Sequence, residues 1–133
     1  MALVADRNTP HHDGQLISVA MATGIECFAG GIACANASGF ATPGATATTL
    51  TYLGRFEETL DNTAGANGAQ TILVRRKAAF KWKNSAANAV TQARLGKVCY
   101  IVDDETVALS DGTGTRSAAG IVVGLDADGV WVE

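Results

Sequence analysis

The sequence predicts a mainly β protein, a single-domain small β-sandwich or barrel with at most one short helix. Strand-sized apolar runs recur at intervals of about 8–12 residues, and turn-forming residues separate them. The length of 133 residues suits one compact domain with its own core. We divide the chain into an extended N-terminal arm, residues 1–14, and a single β-rich domain, residues 15–133.

The last third of the chain carries the clearest strand pattern. Residues 98–102 are apolar and rich in β-branched side chains, which predicts a short strand buried on both faces. Acidic residues at 103–105 then favour a turn, and residues 106–109 return as a second strand. Turns that contain Gly precede a third strand at 121–125 and a last strand at 130–132. We therefore expect a meander of short strands here.

The amino-terminal segment has little regular pattern. Pro, Gly and polar side chains in residues 1–14 indicate an arm outside the core. His11 and His12 would point to opposite sides of an extended chain, and no further ligand pair accompanies them, so we expect no metal site. An arm of this kind can become ordered by contact with a neighbouring subunit.

Weaker strand signals follow the arm. Residues 15–22 alternate loosely and predict a first strand, and residues 24–28 are expected to pair beside it. Residues 29–49 are rich in Ala, Gly and Thr, which favours small hairpins or a long loop over a helix. Residues 48–56 alternate again and predict the next strand.

Residues 70–83 show the most regular alternation in the chain, which predicts one long strand or a hairpin arm. One predicted face is apolar and consists of Ile72, Val74, Ala78, Phe80 and Trp82. The opposite face carries the basic residues Arg75, Lys77, Lys81 and Lys83. Arg76 breaks the pattern, so we expect a bulge or bend beside it. The basic row is either the solvated side of an antiparallel sheet or a contact for an acidic partner surface. Nucleic acid is a weaker third option, because Phe80 and Trp82 lie on the face opposite the lysines.

Residues 84–95 are the only stretch for which we expect a short helix or a helical turn. Ala, Gln, Arg and Leu favour helix there, Ser85 can cap its start, and Gly96 can end it.

The sequence does not indicate catalysis, a cofactor or a bound metal. The carboxylates at 103–105 are consecutive and would diverge rather than face one site. Cys27, Cys34 and Cys99 are an odd set without the spacing of a zinc site, and we expect them to be structural thiols. The formal net charge of −3 does not favour nucleic acid, and no apolar run is long enough for a membrane span. We therefore expect a protein that is not an enzyme.

Several short sequence segments resemble those of the capsid decoration (cement) proteins of tailed phages, particularly Mu-like transposable phages. They begin at Gly54-Arg55-Phe56 and at residues 61–66, and continue with Gly-x-Val-x-Tyr-x-Val-Asp from Gly96. Gly-Thr-Arg-Ser-Ala-Ala-Gly-Ile-Val-Val-Gly from Gly114 and Asp-x-x-Gly-Val-Trp-Val from Asp126 complete the pattern. The resemblance covers roughly residues 53–133.

The resemblance implies a virion structural protein that decorates and stabilises the capsid shell. Its partner would be the assembled major capsid protein, on the outer capsid surface, after synthesis in the cytoplasm of a bacterial host. The capsid-contact candidates are Arg75, Lys77, Lys81 and Lys83. Two other functions remain open: a tail or head-completion component of the virion, and a carbohydrate- or ligand-binding β-domain. The last would require exposed aromatic side chains, whereas Trp82 and Trp131 are both expected in the core.

The carboxyl-terminal strand also suggests self-association. Trp131 and Val132 are apolar although they stand close to the last residue of the sequence. Such a strand must pair within a sheet or against another copy of the chain, because an open sheet edge exposes unpaired backbone groups. We therefore expect a homodimer or homotrimer in which Trp131 and Val132 lie near a subunit or sheet junction.

Overall fold

The computed structural model describes residues 2–133, so the first residue of the predicted arm, Met1, lies outside the described part. The fold is mainly β, with one 3-10 turn at Gln92–Arg94, which confirms the predicted fold class. In chain order, the strands are β1 (Leu16–Ala20), β2 (Glu26–Cys27), β3 (Ile32–Ala35), β4 (Ala41–Pro43), β5 (Thr51–Phe56), β6 (Leu60–Asp61), β7 (Thr71–Arg75), β8 (Phe80–Asn84), β9 (Val98–Ile101), β10 (Thr106–Ala108), β11 (Ala118–Asp126) and β12 (Gly129–Val132).

Two five-stranded sheets make up most of the domain. The first has the order β1-β7-β5-β3-β4, and the second closes into a barrel of order β10-β8-β12-β11-β9. All pairs within these sheets are antiparallel except β8 with β10, which run parallel. β2 and β6 form a separate two-stranded ribbon.

The first sheet lies between two hydrophobic clusters. Strand alternation divides β3, because Ile32 and Cys34 pack into the barrel core while Ala33 packs into the cluster on the opposite side. The buried residues of the barrel cluster include Phe80, Trp82, Cys99, Ile101, Val107, Val122, Val130 and Val132. The second cluster contains Met21, Cys27, Ala41, Phe56, Ile72 and Val74. The barrel and the sheet therefore share a continuous packed interface.

Polar contacts also join the sheet to the barrel. Trp82 Nε1 donates a hydrogen bond to the Tyr52 hydroxyl at 3.0 Å. The hydroxyl of buried Ser117 donates to the Ala47 carbonyl at 2.7 Å and accepts from the Leu50 amide at 3.0 Å. Because buried polar groups are costly when unpaired, these bonds fix how β5 lies against the barrel.

The alternating stretch at 70–83 forms two strands in different sheets, so the prediction of one strand or hairpin arm is wrong. β7 ends at Arg75 in the first sheet, and β8 begins at Phe80 in the barrel. The predicted break beside Arg76 is present, and Lys77 in this turn has a φ of 60°. Ile72, Val74, Phe80 and Trp82 are buried as predicted, but Ala78 is exposed.

Three local predictions also need correction. β2 pairs with β6 and not with β1. β10 and β11 are consecutive but not paired, because β11 pairs with β9, so the carboxyl-terminal third is not a simple meander. Val98 and Tyr100 of β9 are only half-buried, so this strand is fully buried on one face. By contrast, the expectation of a short helix or a helical turn within residues 84–95 is confirmed by the 3-10 turn Gln92–Arg94. The Asn84 side chain hydrogen-bonds to the backbone of Val90, so the residues before this turn form a loop.

The hairpin prediction for residues 29–49 is confirmed by the β3–β4 hairpin. Residues 2–13 are exposed and form no strand, so this part of the arm lies outside both clusters.

Candidate interaction surfaces

The basic residues predicted to form one row are separated, and three of the four have acidic partners. The ion pairs are Arg75 with Glu57, Lys81 with Asp126 and Asp128, and Lys83 with Glu105. Lys77 lies in the turn between the strands and has no ion pair within residues 2–133. The expectation of a continuous, unneutralised basic row is therefore wrong.

These ion pairs change the net charge of the surface and shift the pKa values of its lysines. The hydrogen bond that Lys81 donates to Asp128 raises the pKa of Lys81, and the hydrogen bond that Lys83 donates to Glu105 raises the pKa of Lys83. The exposed side of β8 thus combines two ammonium groups with three carboxylates, a formal charge of −1. Any partner of this surface meets paired charges rather than a basic strip.

A surface that we call the barrel face carries exposed apolar side chains. It consists of Lys81 and Lys83 of β8, Trp131 of β12, and Ile121 and Val123 of β11. The side chains of Ile121, Val123 and Trp131 are 36–44% exposed, because alternation directs their neighbours Val122, Val130 and Val132 into the barrel.

Trp131 is held in place on this surface. Its Nε1 donates to Asp126 Oδ2 at 2.8 Å, and Lys81 Nζ lies 5.7 Å from the centre of its ring, within cation–π range. The expectation that both tryptophans pack in the core is therefore confirmed for Trp82 and wrong for Trp131.

The alternative that the last strand pairs within a sheet is confirmed, and Val132 does not make the predicted subunit contact. Val132 is fully buried in the barrel core, so its side chain is not available to another molecule. β12 lies between β8 and β11 and has neighbours on both sides, so it is not an open sheet edge. Trp131 remains a subunit-contact candidate because of its exposure alone.

A groove of about 510 Å³ lies where the first sheet meets the barrel, and we call it the inter-sheet groove. Its walls are residues 50–54 of the β5 region and residues 118–120 of β11, and its floor includes Phe80. Four exposed residues also line the groove: Arg76, Lys77, Ala78 and Glu133. The groove combines an apolar interior with two cations that have no ion pair within residues 2–133.

The three thiols are buried and resist ionisation. Burial raises the pKa of Cys27, Cys34 and Cys99 to about 12 in each case, so they are protonated at neutral pH. A thiolate is the nucleophilic and metal-binding form, and these positions do not supply it. Within residues 2–133, no three His, Cys, Asp or Glu residues come together in a way that could hold a metal ion.

Sequence reasoning missed the acidic partners and the groove. Glu57, Asp128 and Glu105 lie outside the predicted strands, and their pairing with basic residues depends on strand register that the sequence does not display. The turn sequence Asp-Ala-Asp-Gly at 126–129 was the available signal, because the returning strand places it beside β8.

Comparisons with known proteins found no matching family model, no similar curated protein and no similar solved structure. None of the helical segments in residues 2–133 has the length and apolar character needed to cross a membrane.

Proposed function

We propose that this protein is a non-enzymatic virion structural protein that decorates and cements the capsid shell of a tailed bacteriophage. The sequence segments in residues 53–133 that resemble capsid decoration proteins support this proposal. The main structural support is the barrel face. This surface exposes Trp131, Ile121 and Val123 on strands that are paired on both sides. Exposed apolar side chains on a rigid support are suited to a protein contact, and tryptophan is prominent at the centres of such contacts.

The proposed partner is the assembled major capsid protein. A protein that binds only the assembled lattice stabilises that lattice by mass action, without any chemical step. Attachment to several capsid subunits at once strengthens binding although each contact is weak. The protein would act on the outer capsid surface after synthesis in the bacterial cytoplasm, with no direct contact to nucleic acid or membrane.

The proposal is tested by adding the purified protein to capsid shells that lack it and to unassembled capsid subunits. Sedimentation should recover the protein with assembled shells and not with free subunits. The variant Trp131→Ala should reduce the amount bound to shells, whereas Phe28→Ala changes another exposed aromatic residue, one that lies outside the barrel face, and should bind as the wild type does.

Absence of binding to any shell contradicts the proposal. Immunogold labelling of intact virions separates the other virion roles, because a tail or head-completion component would label the tail or the portal vertex rather than the whole head. Equal binding of both variants would exclude the barrel face as the capsid contact.

One observation also favours a second function, binding of a carbohydrate or similar small ligand. Trp131 is exposed and, together with Phe80, Trp82, Arg55 and Lys81, lines a second pocket of about 370 Å³. Aromatic side chains with a few polar groups are typical of ligand sites. Lys81 covers the Trp131 ring, however, so a sugar would have to displace it. A glycan array with wild type and Trp131→Ala tests this function, and equal signals from both proteins would exclude Trp131 as the sugar-binding residue.

A further inference from the structure

The inter-sheet groove is bordered by two strand segments that lack a neighbour on one side. β7 pairs with β5 only at Arg55 and Phe56, so residues 51–53 of β5 continue past the end of β7. Pairing between β11 and the carboxyl-terminal segment reaches Ile121, which exchanges two backbone hydrogen bonds with Glu133, so Ala118 and Ala119 extend beyond the end of that pairing. Both segments line the groove. Open strand edges of this kind can accept an extended chain through backbone hydrogen bonds.

The lining of the groove indicates which kind of chain it would accept. Phe80, Leu50 and the alanines of β11 offer apolar contacts. The charged residues of the lining are Arg76, Lys77 and Glu133, and all three are exposed. No carboxylate within residues 2–133 forms an ion pair with either cation. The complementary segment would be extended, apolar at some positions, and would carry a carboxylate.

This chain contains such a segment in its own arm. Leu3 and Val4 are 72% and 98% exposed, and Asp6 follows them. Burial of two adjacent and strongly exposed aliphatic side chains against a partner is favourable in free energy. Pro10 lies C-terminal to this segment, so it does not prevent residues 3–6 from pairing as a strand.

The arm also leaves the domain beside the groove. The Arg76 amide donates a hydrogen bond to the Gln15 carbonyl at 2.8 Å, and Gly14 lies against the Lys77 side chain. The residues between Asp6 and Gly14 can span about 25 Å when extended, at roughly 3.3 Å per residue. Two copies whose grooves face each other could therefore exchange arms over a short distance.

We infer that residues 3–6 of one copy add as a strand to the inter-sheet groove of a second copy, reciprocally, in a two-fold symmetric dimer. Within one chain, residues 2–13 are exposed and none of them lines the groove. A reciprocal exchange covers both exposed arms and both grooves with the same contact, so the assembly closes at two copies. This inference does not depend on the capsid-binding proposal, because it concerns a different surface.

Two complementary variants test the exchange in solution. One lacks residues 2–12, and the other, Ala78→Trp, places a large side chain at an exposed position that lines the groove. Light scattering and sedimentation should show a dimer for the wild type and a monomer for each variant alone. An equimolar mixture should form a heterodimer with a single exchanged arm, because one variant supplies the arm and the other the free groove.

Ala87→Trp is the matched control, since Ala87 is exposed and lies outside the groove, and it should remain a dimer. Thermal unfolding of each variant establishes that it is folded. A dimer that persists in either variant, or a mixture that stays monomeric, overturns the inference. A monomeric wild type also overturns the inference. If that monomer has a higher melting temperature than the variant without residues 2–12, the arm occupies the groove of its own chain.

A charge exchange gives an independent readout. Arg76→Glu should weaken the dimer by about tenfold or more at low salt, since close opposite charges across interfaces couple strongly. Asp6→Lys in the same protein should recover at least part of that loss. If neither substitution changes the dissociation constant of the dimer, these charges do not contact each other and residues 3–6 do not bind in the groove.

Discussion

At the scale of single residues, Gly54 occupies a backbone position that no other residue fits. Its φ is 146°, and a Cβ atom there would overlap the carbonyl oxygen of Arg75. Glycine therefore allows β5 to approach the end of β7 closely. Gly54→Ala should lower the free energy of unfolding by about 2 kcal/mol or more, measured by urea denaturation.

Gly39→Ala separates the effect of backbone conformation from that of the close contact. Gly39 also has a positive φ, but nothing lies within 4 Å of the place that a Cβ atom would take. This substitution should cost only about 1 kcal/mol. An equal loss in the free energy of unfolding for both variants would show that the chain relieves the overlap with Arg75 without any loss of stability.

A second residue-scale prediction concerns Glu57, which neutralises two arginines on adjacent strands. Its carboxylate accepts hydrogen bonds from Arg55 at 2.6 Å and Arg75 at 3.1 Å, and these arginines face each other across β5 and β7. The hydrogen bond from Arg55 is the main reason that the pKa of Glu57 falls below its usual value of 4.5. Without the carboxylate, two like charges would oppose each other directly.

The pH dependence follows from the direction of this shift. Because the pKa of Glu57 is lower in the folded state, its stabilisation is present above about pH 4.5 and disappears as the pH falls through the folded-state pKa. Glu57→Gln should cost about 1 kcal/mol at pH 6, and the difference from the wild type should shrink by pH 3. Urea denaturation at both pH values measures it, and a difference independent of pH would contradict the assigned cause.

At the scale of elements, the sequence showed which side chains are buried better than it showed which strands are neighbours. Ile72, Val74, Phe80 and Trp82 keep one alternation although β7 and β8 belong to different sheets. Val74 and Phe80 are an even number of positions apart, so the two-residue alternation of buried and exposed side chains continues across the turn at Lys77. Local pattern therefore could not reveal the change of sheet, which depends on long-range packing.

The position of β12 gives a prediction at this scale. Val132 is fully buried and Trp131 is exposed, although they are adjacent in the same strand. Val132→Ala should lower the free energy of unfolding by about 1–3 kcal/mol through lost burial and a residual cavity. Trp131→Ala should lower the free energy of unfolding by less than Val132→Ala, because Trp131 lies on the outside of the barrel and its removal leaves no cavity in the core.

Thermal and urea unfolding of both variants measure this contrast. Val132→Ile provides a control in which the site stays apolar but gains one methylene group, and overpacking should then cost about 1–3 kcal/mol. A larger loss from Trp131→Ala than from Val132→Ala would mean that the barrel face, rather than the barrel interior, stabilises β12.

At the scale of the whole molecule, composition and turn pattern were sufficient for the fold class but not for the surfaces. The inter-sheet groove arises where β7 and β12 end, beside the continuing strands β5 and β11. Such an arrangement exists only after both sheets have formed. Lys81 and Lys83 were predicted correctly to be exposed, yet the three carboxylates that neutralise them come from two distant turns.

This charge pairing sharpens the test of capsid binding through the barrel face. Lys83→Glu removes one cation and places a carboxylate beside Glu105, so the face becomes more negative by two charges. If the capsid surface opposite this face is acidic, the variant should occupy fewer sites on purified shells at low salt. Added salt should restore occupancy, since screening weakens contacts between exposed charges.

The matched control for this variant is Ala37→Glu with Ser38→Glu, which adds the same two negative charges at the exposed end of the β3–β4 hairpin. Both proteins have the same net charge, so a difference in occupancy reports the position of the charge and not its amount. Lys83 is exposed and the melting temperature should stay close to that of the wild type. Equal occupancy of the two variants at every salt concentration would mean that Lys83 belongs to an ordinary solvated face, and that the apolar side chains of β11 and β12 alone determine capsid binding.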